Sequence, residues 1–253
     1  MAINAVLVDP PRPGLVLSDL VATTPLSEDE AATLYAAMAK DVLRAAERSG
    51  AELLVNYRSE ETLSEGHASD AGTGAEAEVR ALAADALSEP DAARYEPQVG
   101  STHAARVGNT ATHLLETESA DSVSILDPRA PTVARTDLDG AAMSLRSNET
   151  VLGPATAGRV YYYGMTAPID FEGAYGPPAM STITRRAVEA GHDVSFVDMH
   201  PVVATRTDLA TLLVVIESRV AANTPVPEAT TEALYNLDLR VDTAGRRPTI
   251  ERT

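Results

Sequence analysis

The chain contains no cysteine, one lysine and few aromatic residues, and each scarcity limits what it can do. Without cysteine there is no disulfide, no thiolate nucleophile and no cysteine-ligated metal. No apolar run approaches the roughly 20 residues that a bilayer-spanning helix needs, and no secretory leader precedes the first predicted strand. We therefore expect a cytoplasmic protein without a membrane span.

Positive charge is also scarce, since 20 Lys and Arg stand against 37 Asp and Glu, for a formal net charge of −17. The acids are spread along the chain and Lys40 is the one lysine, a pattern typical of intracellular proteins of extreme halophiles. Molar salt shortens the electrostatic screening length to roughly 3 Å or less, which suppresses self-repulsion. We interpret the acidity as a means of solvation. Since no basic stripe is present, nucleic acid is not an expected partner.

Strand and helix patterns alternate along most of the chain. Ser27 and Glu30 form a capping box that begins a helix, and Gly50 ends it. Apolar runs predict strands at residues 3–8, 52–57, 95–99, 123–126, 150–154, 159–164 and 194–197. Further helices are predicted at 75–87, 136–146 and 208–220, with two more ending near residues 115 and 190. This order predicts a single-domain three-layer α/β/α fold with a mostly parallel central sheet over residues 1–222, and a C-terminal extension, 223–253, that is packed on it or partly mobile.

One predicted strand ends in an acid followed at once by proline, within the segment DSVSILDPRAP at residues 121–131. Pro128 cannot donate to a sheet ladder, so Asp127 should lie at the carboxyl end of a central strand. Ligands of open α/β sheets bind at that edge. A carboxylate there suits a Mg²⁺ or Mn²⁺ ion that holds phosphate oxygens. The alternative is that Asp127 caps the turn that follows.

Several other positions suit the binding of phosphate groups. The loop after the first strand contains Pro11, Arg12, Pro13 and Gly14, where glycine allows close backbone approach. Arg106 lies where a helix begins and can hold a phosphate bidentately, or can pair with a surface acid. Asn109 lies in the same segment as Arg106, and the turn that begins at Gly153 could cover a ligand.

The sequence assigns no general base. Asp137, Asp139, Asp198 and His200 are candidates, and each is also explained as a helix cap or a solvated surface group. His103 and His113 are not spaced as ligands on one helix face, so no zinc site is predicted. His67 is interpreted as a solvated residue of a surface loop.

The order of these motifs resembles the GT-A-type nucleotide-sugar transferase superfamily, in particular glycosyltransferase-like proteins of bacteria and archaea. The resemblance spans nearly the whole chain. Its matching residues are Pro13-Gly14; Gln98, Gly100 and Arg106; Ile125-Leu126-Asp127 with a following proline; and Leu152-Gly153-Pro154 with Tyr161–Gly164. The chain departs from the family where a basic patch would follow Gly14, since it reads Val16-Leu17-Ser18-Asp19-Leu20. It also has Val202-Val203-Ala204-Thr205 where a second metal carboxylate would lie. The chain is similar also to the phospholactate guanylyltransferases.

The resemblance implies a glycosyl- or nucleotidyltransferase-like protein that binds a nucleotide or nucleotide sugar with a divalent metal, Mg²⁺ or Mn²⁺. In it Asp127 would hold the metal, and Arg12, Arg106 and Arg159 would contact the diphosphate. The nucleotide-binding set that the resemblance implies is Pro11, Arg12, Pro13, Gly14, Arg106, Asn109, Gly153 and Arg159. The alternative is a catalytically degenerate protein that keeps the fold for binding or assembly. Donor, acceptor and oligomeric state stay open, with a homo-oligomer as one alternative.

Overall fold

Seven strands form a central sheet in the computed structural model, which describes residues 1–67, 74–242 and 249–252. They are β1 (Ala2–Val8), β2 (Glu52–Tyr57), β3 (Arg94–Pro97), β4 (Ser122–Leu126), β5 (Thr150–Pro154), β6 (Val160–Met165) and β7 (Val194–Phe196). Their order is β3-β2-β1-β4-β6-β5-β7, and β6 alone in this sheet runs antiparallel to its neighbours. The predicted α/β fold with a mostly parallel sheet is confirmed.

Helices cover both faces of this sheet. They are α1 (Ser18–Thr23), α2 (Glu28–Glu47), α3 (Ala75–Ala86), α4 (His103–Thr112), α5 (Arg135–Ser144), α6 (Ala179–Glu189), α7 (Arg206–Ala221) and α8 (Glu228–Asn236). A π-helical turn, His113–Thr117, extends α4. None of the described helices has the length and apolar character needed to cross a bilayer.

The alternation of side chains along β1 explains the layers. Val6 and Val8 pack with α2, α3 and α5 on one face, whereas Ile3, Ala5 and Leu7 pack with α4 and α6 on the other. Successive strand residues point to opposite faces, so a strand covered on both sides is apolar throughout. The apolar run at residues 3–8 is therefore explained by a strand, β1, that is buried on both faces.

A further layer covers the side of α2 that faces away from the sheet. It consists of α1, α7, α8 and the antiparallel pair β8 (Leu239–Asp242) and β9 (Thr249–Arg252). Helix α8 is not predicted from the sequence, and its capping acid explains why. Asp41 of α2 accepts hydrogen bonds from the backbone N–H groups of Ala229 and Thr230, at 3.1 and 2.8 Å. The division at residue 222 stays a prediction.

Several elements predicted from local sequence signals have the predicted positions in the structure. Ser27 and Glu30 form the predicted capping box, and β2 and β5 have the predicted bounds. Tyr161, Tyr162 and Tyr163 of β6 are all buried. The surface loop predicted to contain His67, residues 59–74, has two short 3₁₀ turns, Glu60–Thr62 and Glu65–His67, and residues 68–73 lie outside the described part.

Candidate functional site

A cavity of about 410 Å³ opens at the carboxyl ends of β1 and β4. Each strand ends in the same dipeptide, Asp9-Pro10 after β1 and Asp127-Pro128 after β4. The two strands are parallel neighbours, with Val6 opposite Leu126, so both carboxylates lie on the same edge of the sheet. The other polar and aromatic lining residues are Ser18, Asp19, Tyr35, Gln98, His103, Arg106, Arg129, Arg159, Tyr161, Tyr163 and Tyr175.

The Asp127 carboxylate is held by Arg129. Oδ1 accepts from the backbone N and from Nε of Arg129, both at 2.9 Å, and Oδ2 accepts from Nη2 at 2.7 Å. The Asp127 side chain is 16% exposed. Burial alone would raise the pKa of Asp127, but the charge and hydrogen bonds of Arg129 outweigh it and lower that pKa. Asp127 is therefore an ionised carboxylate with a fixed counter-ion.

Asp9 is a second carboxylate in the cavity, less tightly held than Asp127. Its nearest cation is Arg58, whose Nη1 is 3.8 Å from Oδ1, and its backbone N–H donates to the hydroxyl of Tyr35 at 2.8 Å. Desolvation raises the pKa of Asp9, although the charges of Arg58, Arg106 and Arg129 act in the opposite direction. Asp9 and Asp127 thus lie among three guanidinium groups.

Arg106 reaches the cavity from the first turn of α4. Its Nε donates to Oε1 of the buried Gln98 at 2.7 Å, and Gln98 in turn donates to the backbone oxygen of Asn56 at 2.8 Å. The two terminal nitrogens of Arg106 have no hydrogen-bond partner among the described residues. Gly100 permits this placement: its φ is +137°, and a Cβ there would lie 2.9 Å from the backbone nitrogen of Arg106.

Arg159 enters from the opposite side, just before β6. Its Nη2 contacts Oδ1 of Asp208 and Oγ1 of Thr156, both at 2.7 Å. Asp208 is also the capping acid of α7, where Oδ2 accepts from the backbone of Thr205 at 2.8 Å. The Nε of Arg159 is buried without a partner in the described part of the chain. This guanidinium is therefore fixed but still has donors to offer.

Aromatic rings form the wall between these groups. The His103 ring meets the Tyr175 ring edge-on, with centroids 4.7 Å apart and an interplanar angle of 87°. Desolvation, together with the charges of Arg106 and Arg129, lowers the pKa of His103, so its ring is neutral near neutral pH. Flat neutral rings beside arginines can stack on a base or a sugar.

Of the predicted site residues, Asp127, Arg106 and Arg159 meet in this cavity and the others do not line it. Arg12 is held between Glu60 and Glu78 at 2.8 and 2.9 Å. Pro11 and Pro13 line a second, more open depression beside α2 and α8.

The remaining predicted residues have other surroundings. Gly14 faces Glu28 and His67, and exposed Asn109 donates to the backbone oxygen of Val99 at 2.8 Å. Gly153 packs under the Tyr161 ring, where a Cβ would lie 2.5 Å from ring atoms. It therefore shapes the wall only indirectly.

The general-base candidates lie outside the cavity lining. Asp137 accepts from the backbone N of Ala134 at 2.7 Å and contacts His200 at 3.2 Å. Asp139 pairs with Arg135 on the surface, and Asp198 is exposed. Asp137 is thus a helix cap and Asp139 belongs to a surface ion pair. Both agree with the alternative to a general base, a helix cap or a surface group.

Sequence reasoning missed Asp9, Arg129, His103 and Tyr175 as cavity residues. A signal for Asp9 exists, since the chain repeats a strand followed by Asp-Pro. Arg129 could have been found from its place two residues after Asp127. No comparable signal marks Tyr175, which lies in an irregular segment before α6.

A separate acidic group lies at β3. Glu96, His113 and Glu118 have ligand atoms close enough together to hold a metal ion. Arg94 already pairs with two of the three residues, since it contacts Glu96 and donates to Glu118 at 2.8 Å, and His113 contacts Glu118 at 3.2 Å. We interpret the group as an ion-pair network.

Comparison with solved structures identifies the fold. The chain is similar to a protein from Desulfovibrio desulfuricans G20 that is provisionally assigned as a nucleotide-diphospho-sugar transferase, with a TM-score of 0.74, 19% identity, and 94% of this chain and 95% of that chain covered. It is also similar to a cytidylyltransferase from Leptospira borgpetersenii serovar Hardjo-bovis (strain JB197), with a TM-score of 0.51, 9% identity, and 93% and 94% covered.

No protein-family model matches the chain, and no curated protein matches it in sequence. At these identities the structural likeness establishes the fold alone. The fold is that of nucleotide-diphospho-sugar transferase-like proteins, which confirms the resemblance drawn from the sequence at the level of fold.

Proposed function

We propose that the chain binds the phosphate groups of a nucleotide or nucleotide sugar in the cavity at the ends of β1 and β4, for transfer of the glycosyl or nucleotidyl group. One observation carries this proposal. Arg106, Arg129 and Arg159 each use only part of the guanidinium on protein neighbours: Gln98 for Arg106, Asp127 for Arg129, and Asp208 with Thr156 for Arg159. Each leaves N–H donors directed to no other described residue.

Arginines fixed in this way are suited to phosphate recognition. Their planar N–H groups match the spacing of phosphate oxygens, and little rotamer entropy is lost because protein contacts already hold the side chains. Transfer from a nucleotide or nucleotide sugar leaves negative charge on a phosphate or diphosphate. Pre-oriented donors stabilise that charge in a cavity of low dielectric.

The rest of the ligand has a place beside these cations. Tyr175 and His103 supply ring surfaces for a base or a sugar, next to Arg106. The wall formed by residues 15–19 carries Asp19 where the resemblance implies basic residues, so the phosphate contacts come from the other side of the cavity. The phosphate groups of the ligand would therefore contact α4, which carries Arg106, and the segment between β4 and α5, which carries Arg129.

The Mg²⁺ or Mn²⁺ ion expected at Asp127 stays a prediction. As arranged, both oxygens of Asp127 accept hydrogen bonds from Arg129, so an ion at that carboxylate would lie against the Arg129 guanidinium, and the two positive charges would repel each other. The residues present do not fit a metal at that carboxylate while Arg129 holds it. The contribution of Arg129 and Arg106 to phosphate binding is independent of it.

Calorimetric titration in molar KCl with CTP, GTP, UDP-glucose and GDP-mannose tests the proposal, with Mg²⁺ in the buffer. We expect binding of at least one of them, and a loss of about tenfold or more in Arg106→Gln, because a charge-assisted hydrogen bond contributes about 1.5–3 kcal/mol. The matched control is Arg185→Gln, which removes the same charge from an exposed pair on α6. If none of the four compounds produces heat, the proposal fails.

The alternative, binding without transfer, is separated by a product assay on the ligand that binds. Turnover that is lost in Arg106→Gln and kept in Arg185→Gln would support a transferase. Tight binding with no product from a panel of sugar and phosphate acceptors would favour the degenerate alternative.

A further inference from the structure

We propose that the Arg129 guanidinium takes the place that a divalent ion would have at Asp127, so that the cavity binds the phosphate groups of its ligand without a metal. This inference rests on the proposed function. It goes further in replacing the metal by Arg129 and in assigning Asp127 as the residue that positions this guanidinium.

The first support is the geometry of the pair. Two nitrogens of one guanidinium face the two oxygens of one carboxylate, with Nε to Oδ1 at 2.9 Å and Nη2 to Oδ2 at 2.7 Å. This is the bidentate arrangement in which an arginine–carboxylate pair is strongest. The third nitrogen, Nη1, has no hydrogen-bond partner among the described residues, and the Arg129 side chain is 36% exposed.

The second support is that the pair is built locally and held from outside. Asp127 Oδ1 also accepts from the backbone N–H of Arg129 at 2.9 Å, which closes an Asx turn around Pro128. The backbone oxygen of Arg129 accepts from the N–H of Val203 at 2.9 Å, which anchors the turn to the segment before α7. The guanidinium is therefore positioned by the fold.

The third support is the charge around the two carboxylates. The cations that act on Asp9 are Arg58, Arg106 and Arg129, and the other carboxylate acting on it is that of Asp127. Around Asp9 and Asp127 these three guanidinium groups outnumber the two carboxylates, and the third lining carboxylate, Asp19, belongs to the wall formed by residues 15–19. A divalent cation would add repulsion to this group, whereas a phosphate would complete it. The surroundings therefore suit an anion.

The test compares metal-free and metal-loaded binding in the same protein. Inorganic pyrophosphate and CTP are titrated in molar KCl with EDTA, and again with Mn²⁺. We expect affinities that agree within about twofold. Binding that needs Mn²⁺ would overturn the inference and leave the proposed function standing. Absence of binding under both conditions would overturn both.

Two variants add a readout that a purely structural role would not change. In Arg129→Gln, Asp127 is released, so we expect about tenfold weaker binding in EDTA and partial recovery with Mn²⁺, a metal dependence that the native chain lacks. Arg129→Lys keeps the charge without the paired contact, and we expect intermediate affinity in EDTA. Thermal unfolding reports whether each variant is folded, and Arg185→Gln should show no change. Equal affinities of Arg129→Gln and the native protein in EDTA would refute the role of Arg129.

Discussion

Asp208, the third residue of α7, holds Arg159 at 2.7 Å and caps its own helix with the same carboxylate. Oδ1 contacts Arg159 and Thr156, whereas Oδ2 accepts from the backbone N–H and the hydroxyl of Thr205. The Asp208 side chain is 3% exposed, so neither contact is weakened by solvent. One buried acid therefore links the start of α7 to a cation of the cavity.

This link predicts separable effects on stability and on binding. Asp208→Asn should lower the free energy of unfolding by about 1–2 kcal/mol and weaken nucleotide binding, because Arg159 loses its charged partner. Thr205→Ala should cost about 1 kcal/mol, since it removes only the capping hydroxyl, and should leave binding unchanged. Urea unfolding and calorimetric titration of both variants check this. Equal effects of the two variants on affinity would contradict it.

Because Gly100 lies close to the backbone of α4, we expect that replacing it by a larger residue destabilises the protein. In Gly100→Ala the new Cβ would lie 2.9 Å from the Arg106 backbone nitrogen, at a φ of +137°. We expect a loss of about 2 kcal/mol or more and displacement of Arg106, hence weaker nucleotide binding. The matched control is Gly140→Ala in α5, where nothing lies within 4 Å. It should stabilise the protein by about 0.5–1 kcal/mol, because alanine favours a helix over glycine.

The fold could be predicted because most of its elements carry their own signals. The capping box of α2 lies within residues 27–30, and β2 lies within a short apolar run. Helix α8 could not be predicted, because its capping carboxylate, Asp41, comes 188 residues before Ala229. A sequence pattern reports contacts between neighbours in the chain, and this contact joins distant residues.

The site could be predicted only in part, for the same reason. Asp127 and Arg106 were found because one follows a strand and the other begins a helix, and both positions face the ligand edge of the sheet. Arg12 follows β1 equally well, yet Glu60 and Glu78 hold its guanidinium outside the cavity. Those partners lie 48 and 66 residues away, so local reasoning could not identify them.

The burial of His200 predicts that the protein loses stability in mild acid. Its ring is buried between Thr132 and Asp137, at 3.0 and 3.2 Å, beside the Tyr161 ring. Desolvation lowers the pKa of His200 below its usual 6.5, although the Asp137 charge acts in the opposite direction. Between the two pKa values the unfolded chain binds a proton that the folded chain does not, so stability should fall as the pH drops below about 6.5.

Urea unfolding at pH 7.5 and pH 5.5 measures this slope. His200→Gln should reduce it, and the remaining slope is expected from His103, whose pKa desolvation also lowers, to about 4. The control His113→Gln, at an exposed histidine, should leave the slope unchanged. Asp127 should act in a lower window, because its pKa is already below 3.8 in the folded state and its contribution is lost only in stronger acid. An unchanged slope in His200→Gln would show that another group is responsible.

The formal charge of −17 predicts that salt stabilises the fold. Raising KCl from about 0.1 M to about 1 M shortens the screening length from about 10 Å to about 3 Å, which weakens repulsion between surface acids that are not in contact. The thermal midpoint should therefore rise steadily over this range. A variant with the exposed Glu116, Glu172 and Glu217 all changed to Gln should reach the same midpoint at lower salt, since less repulsion remains to be screened. A midpoint that does not change with KCl, or a variant that needs the same salt as the native chain, would show that the acidic surface has no role in salt-dependent stability.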